Sequence, residues 1–262
     1  IFSGHEVMVQ QAWFGSHFYS EDIRPELNET TVGIQLDGND HFLNNVVVFR
    51  ASTGVIVNGN ANVLTGVHTW NQATTLGGRG IVINAAQIRL NMCYLDYNAL
   101  VIVDPHDVTA LNTFFLGGGN VVLVASRPNV TVVGLRIIDS EYGIGNGPAN
   151  ASVVLDESLG TFGSVVSSDI SGSSVQAPLT PKTTRLTASL TQTDATSWAF
   201  DLTDQLVFGR IARVSHSLST ATGFPVVVVR STVGGKVLME TSQPTTGTLT
   251  ISVDETQADL AA

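Results

Sequence analysis

Between Thr31 and Ser140 short β-branched runs alternate with polar bends, and the alternation recurs at a nearly fixed interval. Five segments share one plan: GIQLDGNDHFLNNVVVF from Gly33, GVIVNGNANVLTGVHTW from Gly54, GIVINAAQIRLNMCYLD from Gly80, LVIVDPHDVTALNTFFL from Leu100 and NVVLVASRPNVTVVGLRII from Asn120. Each is an apolar run, a polar bend and a second apolar run. Their starts lie 21, 26, 20 and 20 residues apart. Short strands fill such a period and leave no room for a helix, so the pattern predicts stacked coils of a parallel β-helix. A leucine-rich horseshoe has a similar period, but its recurring leucine frame is absent here. The longer second step places an insertion over 71–80, whose Gly77-Gly78-Arg79-Gly80 end reads as a flexible loop projecting from one rung.

Around this block the pattern changes. Residues 1–30 hold a strand-like piece, HEVMVQQAWF, and then a polar stretch whose acids Glu21, Asp22, Glu26 and Glu29 read as exposed. After Ser140, EYGIGNGPANASVV reads as a last irregular rung. Gly160 to Pro181 is rich in Ser, Gly and Thr and reads as a linker or crossing segment. From Thr183 the runs alternate strictly and Gly-containing turns separate several of them, which predicts a small antiparallel β-sandwich. The expected organisation is all-β: a parallel β-helix over 1–159, a linker over 160–182 and an antiparallel sandwich over 183–262. No stretch has helical periodicity.

Of the 262 residues, 43% are apolar and 13% charged, which suits strands stacked around a long continuous core. The net charge of −10 argues against a nucleic-acid partner, which needs a basic face, and against an anionic membrane surface. No apolar run reaches the roughly 18 residues of a spanning helix, so a soluble chain is expected. The one cysteine, Cys93, excludes an intrachain disulfide and reads as a small buried hydrophobe. Three glycosylation acceptors, Asn28-Glu-Thr30, Asn129-Val-Thr131 and Asn150-Ala-Ser152, favour a secreted, extracellular protein. The start, IFSGHEVMVQQAWF, lacks a basic segment followed by an apolar one and reads as the interior of a longer precursor.

At this point the residues resemble a family. Gly38-Asn39-Asp40, Gly54, Ala61-Asn62 and Leu64-Thr65-Gly66-Val67-His68 are similar to the quartet-type polygalacturonases of the pectin-lyase-like superfamily. So are Asn71, Ala73-Thr74, Gly77-Gly78, Tyr94-Leu95-Asp96-Tyr97, Asp104-Pro105 and Phe114-Phe115-Leu116-Gly117, with Thr196-Ser197-Trp198 and Gly223-Phe224-Pro225 further on. The resemblance covers nearly the whole chain and matches the later part of such proteins. It implies a right-handed β-helix, secretion and action on pectic galacturonan. The Asn-Thr-Asp, Asp-Asp, Gly-His-Gly and Arg-Ile-Lys motifs of the better-known pectin hydrolases are not present intact.

Aligning the repeats puts Asp37, Asn58, Asn84 and Asp104 in one column that ends at Val124. Such a column reads as a hydrogen-bonded ladder at the bends or as a sugar-facing row. Asp37 and Asp104 would stand three rungs apart, roughly 14 Å, too far for a glycosidase pair at about 5–9.5 Å. Asp37 with Asp40, and Asp104 with Asp107, lie closer, each pair around one bend. Glycoside hydrolysis needs one protonated and one ionised carboxyl, and Asp104, Asp107 and His106, with Asp96 one strand earlier, are the catalytic candidates. Asp and Asn also cap bends in any solenoid. His68 aligns with Val47, Tyr94 and Phe114, and Trp70 with Phe49, Asp96 and Leu116. His68, Trp70, Asp37 and Asp40 are candidates for sugar contact, and Arg79 for pairing with a galacturonate carboxylate. No zinc spacing, P-loop or dinucleotide glycine pattern occurs, so no metal or cofactor is expected. Two functions stay open: a glycoside hydrolase acting on an acidic polysaccharide, and a non-catalytic β-helix that binds polysaccharide or builds an extracellular assembly. The edge at Ile1 is expected to be covered, either by the preceding half of the same precursor or by a second copy stacked end to end.

Overall fold

In the first full coil, Ile34, Leu36, Leu43, Val46 and Val48 point inward and are buried, while Gln35, Asn44 and Val47 between them point out. The same alternation repeats in each coil, and a one-residue slip would turn it inside out. The computed structural model describes residues 1–15, 31–70, 78–117, 119–143, 150–221 and 223–257. Among these there is no helix.

Three parallel sheets form the walls of the β-helix. The first contains Val32–Leu36, Thr53–Val57, Arg79–Ile83, Ala99–Val103, Val121–Val124 and Val153–Asp156. The second contains Met8–Gln10, Phe42–Asn44, Val63–Thr65, Arg89–Asn91, Thr109–Leu111, Arg136–Ile138 and Asp169–Ser171. The third contains Trp13–Gly15, Val47–Phe49, His68–Trp70, Tyr94–Asp96, Phe114–Leu116, Glu141–Tyr142 and Ser174–Val175. Every pair within these sheets is parallel, as the repeat pattern predicts. Between the second and third sheets the corner is two residues in each coil, for example Asn45–Val46, Met92–Cys93 and Asn112–Thr113. The first of each two has a positive φ, at 52°, 50° and 49° in these three. Between the third and first sheets the spacing varies from Tyr97–Asn98 in one coil to residues 71–78 in another. Gly80 enters the first sheet where an added Cβ would lie 2.0 Å from the Asn98 amide oxygen and 2.6 Å from the Thr69 hydroxyl. Only a glycine fits there.

The inward side chains make one core that runs from coil to coil and includes Cys93, whose buried thiol is pushed up to about 11. Residues 160–182, expected as a linker, are instead the last coil. Phe162–Val166 pairs with Val130–Val133, and Asp169–Ser171 and Ser174–Val175 extend the second and third sheets. Phe162, Val165 and Ile170 supply the buried positions that the Ser- and Gly-rich composition hid. Arg79, expected in a loop, opens a strand of the first sheet. Trp13, on the outer face of the first strand of the third sheet, is 73% exposed.

Beyond Thr183 the chain forms one antiparallel sheet of four strands. The long strand Lys236–Asp254 pairs along its length with Arg185–Asp201, and on its other edge with Arg213–Thr220 and Val227–Val233. The register shifts between Gln192 and Ser197, where the long strands change from one partner segment to the next. One apolar cluster, with Trp198, Phe200, Met239, Leu249 and Ile251 at its centre, draws on both halves.

This sheet is joined to the last coil. The Lys182 amine donates to the carbonyls of Thr203 and Leu206, and the Thr183 hydroxyl donates to the Ile170 carbonyl. Val207 is buried in the core of the β-helix, and the Phe208 ring packs edge-on against Phe162 at 5.7 Å between centroids.

Candidate functional site

The third sheet carries rings on its outer face because its outward positions repeat in register. Val47, His68, Tyr94 and Phe114 form one column, and Phe49, Trp70, Asp96 and Leu116 the next. Phe49 and Trp70 stack at 4.3 Å between centroids, as do His68 and Tyr94. Phe114 continues the second stack at 5.0 Å. The Arg50 guanidinium lies 5.5 Å from the Trp70 ring centre and 5.9 Å from that of Phe49. Trp70 is therefore stacked on Phe49 through one face, and the Arg50 cation lies beside both rings rather than on the far face of Trp70.

Between the two ring columns sits a carboxyl–imidazole pair. The His68 Nε2 is 3.8 Å from the Asp96 Oδ2, with the Asp96 side chain 13% exposed and His68 33%. Burial pushes Asp96 upward, with His68 opposing the shift, and burial pushes His68 downward, with Asp96 opposing it. Both groups are thus drawn toward their neutral forms. The His68 Nε2 and the Asp96 Oδ1 are buried without a hydrogen-bond partner. A carboxyl raised by burial is the state a general acid requires.

The remaining acids stand at a different corner, between the first and second sheets. Asp37 accepts from the Asn58 amide at 2.7 Å and Asn58 from the Asn84 amide at 2.8 Å, so these three form a ladder along the bends. The bonds from Asn58 and then Gln35 hold Asp37 below the usual carboxylate range. Asp104 does not join the ladder. The strands slip by one residue at Ala99–Leu100, so Ile102 faces Ile83, and Asp104 takes a positive φ of 44°. Its carboxylate turns to the next coil, where it accepts from the Ser126 amide at 2.9 Å, the Ser126 hydroxyl at 2.7 Å and Arg127 at 2.7 Å. That set caps a bend and neutralises the charge, and it leaves Asp104 unsuited to catalysis.

Asp107 is exposed, 3.4 Å from the His106 Nε2, with a φ of 50°. Its Oδ1 lies over Gly134 of the next coil, where a Cβ would come within 2.3 Å. Asp40 occupies the same bend position in the first coil and is exposed.

The structure therefore brings Asp96, His68 and Trp70 together and places Asp104, Asp107 and His106 elsewhere. Arg79 is exposed at the corner between the third and first sheets. Asn129 and Asn150 are exposed, and Asn28 lies outside the described residues. Arg50 was missed, because the repeat pattern gives no signal for a single side chain at a corner. The next acid on the outer face of the third sheet among the described residues, Glu141, pairs with Phe114 and so lies two coils beyond Tyr94 and Asp96. Two coils span roughly 10 Å, at or beyond the limit for a hydrolytic carboxyl pair of about 9.5 Å.

Polygalacturonase QRT3 of Arabidopsis thaliana is 33% identical to this chain over 259 residues, which cover 97% of the chain and 53% of that protein. The chain is similar to this polygalacturonase along nearly its whole length. The similarity and the parallel sheets agree with one another, and the chain spans about half the length of the curated relative it matches. No family model matches it. Among the described residues, the His68–Asp96 pair is the one candidate cluster that combines burial, mutual proximity and shifted proton affinity.

Proposed function

We propose that this chain engages an acidic, pectic polysaccharide as a secreted polygalacturonase-like protein, and that its described residues hold the sugar rather than complete a hydrolytic pair. The observation that carries the reading is the similarity to polygalacturonase QRT3 along 97% of the chain. The loss of Asp104 to a bend cap and the distance from Asp96 to Glu141 favour binding over cleavage by these residues. Glycans on Asn129 and Asn150, both exposed, accord with secretion. Phe2, Val9 and Phe14 of the first coil are only partly buried, which supports a covering polypeptide at that edge, either another segment of the same precursor or a second copy.

A second reading, hydrolysis with Asp96 as proton donor, is favoured by one observation, its upward-shifted carboxyl beside His68. Incubation of the protein with polygalacturonate, followed by a reducing-end assay and by retention in a polygalacturonate gel, separates the two. Retention without new reducing ends is the expected result. Release of reducing ends that falls by about 100-fold or more in Asp96→Asn would establish the hydrolytic reading instead. Neither retention nor release would remove pectic galacturonan as the ligand.

A further inference from the structure

The outer face of the second sheet carries a column that runs Arg89–Thr109–Arg136 across three neighbouring coils. Both arginines are exposed, and among the described residues neither makes an ion pair or a side-chain hydrogen bond. They differ in this from the other described cationic side chains. Arg127 is held by Asp104, Arg213 by Asp254, Arg230 by Glu240 and Lys236 by Asp201. Arg185 bridges Asp169 and Asp254, Arg210 donates to the Gly163 carbonyl, and Arg50 packs on Trp70. In a chain with 12 basic against 22 acidic side chains, two arginines left unpaired in one column stand out from the surrounding surface.

The two line a groove of about 410 Å³ together with Gln87, Asp107, Thr109 and Ser167. Gln87, Asp107 and Ser167 all occupy the positive-φ position of a bend, so the same corner geometry recurs along one side of the groove. A guanidinium presents a planar fork that matches a carboxylate with two parallel hydrogen bonds. The arginines are two coils apart, roughly 10 Å by the spacing of strands. A polymer with a carboxylate on each sugar, laid along the coil axis, meets both with different residues. Thr109 between them, and Gln87 and Ser167 at the side, offer hydroxyl and amide partners for ring hydroxyls. The Asp107 carboxylate accepts from a hydroxyl and repels a closely spaced anion.

We propose that the Arg89–Arg136 groove binds the carboxylates of a polyuronate chain lying along the axis of the β-helix. The proposal rests on the reading of the ligand as an acidic polysaccharide, and adds to it a binding surface on a sheet separate from the His68–Asp96 pair.

The test compares the wild-type chain with Arg89→Gln/Arg136→Gln, and with a charge-matched control, Arg230→Gln/Lys236→Gln on the antiparallel sheet. Each is run through gels containing polygalacturonate, alginate (a polyuronate of different linkage) or neutral galactan. Retention of the wild type by polygalacturonate, weakened about tenfold or more in the groove variant and unchanged in the control, is expected, since each arginine loses a charge-assisted contact. The groove variant should melt with the wild type, because the side chains it alters have no partners in the fold. Equal retention of wild type and groove variant by polygalacturonate overturns the groove while leaving the pectic reading in place. Equal weakening in the groove variant and the control overturns it too, as an effect of net charge. Retention by alginate alone, lost in the groove variant, supports the groove and overturns the pectic reading. Absence of retention by either polyuronate overturns both.

Discussion

Asn62 and Asn84 both sit at bends between the first and second sheets, yet they do different work. The Asn62 side chain is fully buried; its oxygen accepts from the His41 amide at 2.7 Å and its nitrogen donates to the carbonyls of Gly38 at 3.1 Å and Gly59 at 2.7 Å. Asn84 is exposed at the end of the ladder and donates one bond to Asn58. Removing Asn62 leaves three buried backbone groups unpaired, whereas water replaces what Asn84 supplies. Asn62→Ala is expected to cost about 3 kcal/mol, and Asn84→Ala less than about 1 kcal/mol, in urea unfolding. Equal losses would show that the inner amide is not a structural joint.

Asn84 was visible in the sequence as a member of the bend column and Asn62 only through the resemblance, and nothing in the repeats separates an inward amide from an outward one. The same limit misplaced Asp104. A period counts residues, and the one-residue slip at Ala99–Leu100 changes which residue faces which without changing the count. His68 and Trp70 were aligned correctly with their neighbours because the third sheet has no such slip across their coils.

The joint between the last coil and the antiparallel sheet depends on Glu255, directly after the strand Lys236–Asp254. Its carboxylate accepts from the backbone amides of Val207 and Phe208 at 3.0 Å and of Arg210 at 3.1 Å. Burial outweighs these donors and pushes the carboxyl up from 4.5 to about 7. The folded chain therefore binds this proton more tightly than the unfolded chain. The stabilisation is complete below the unfolded value of 4.5 and is lost as pH rises to about 7. Its size is on the order of 3 kcal/mol. Unfolding midpoints measured from pH 4 to 8 should fall across that window in the wild type and flatten in Glu255→Gln. The same slope in both would assign the pH dependence to other groups.

At this scale the sequence was legible wherever apolar residues alternate, in the five central coils and in the antiparallel strands. It was not legible across 160–182, where frequent Ser and Gly masked a coil whose inward positions are Phe162, Val165 and Ile170. Polar side chains complete that coil: the Ser168 hydroxyl meets the Leu135 amide at 3.2 Å, and the Thr184 hydroxyl meets the Ile170 amide at 3.0 Å.

For the whole molecule, the antiparallel sheet closes one end of the coil stack. Val207 and Phe208 cover the last inward side chains, and the strand edges there bond to Thr183, Thr184 and Gln257. A stack left open at that end would present unpaired strand edges and apolar surface to its neighbours. A chain ended after Lys182 is expected to self-associate, which sedimentation velocity would record as species heavier than the monomer. A truncated chain that stays monomeric and melts like the intact one would show that the sheet is an independent appendage. The uneven corners have a further consequence. The two-residue corner between the second and third sheets keeps the reading frame of the whole stack, since one extra residue there would invert every later side chain of that coil. The corner between the third and first sheets already differs in length from coil to coil while the strands on either side keep their register. New peptide segments grafted onto this scaffold therefore belong at that one edge, and successive coils would display them in a row.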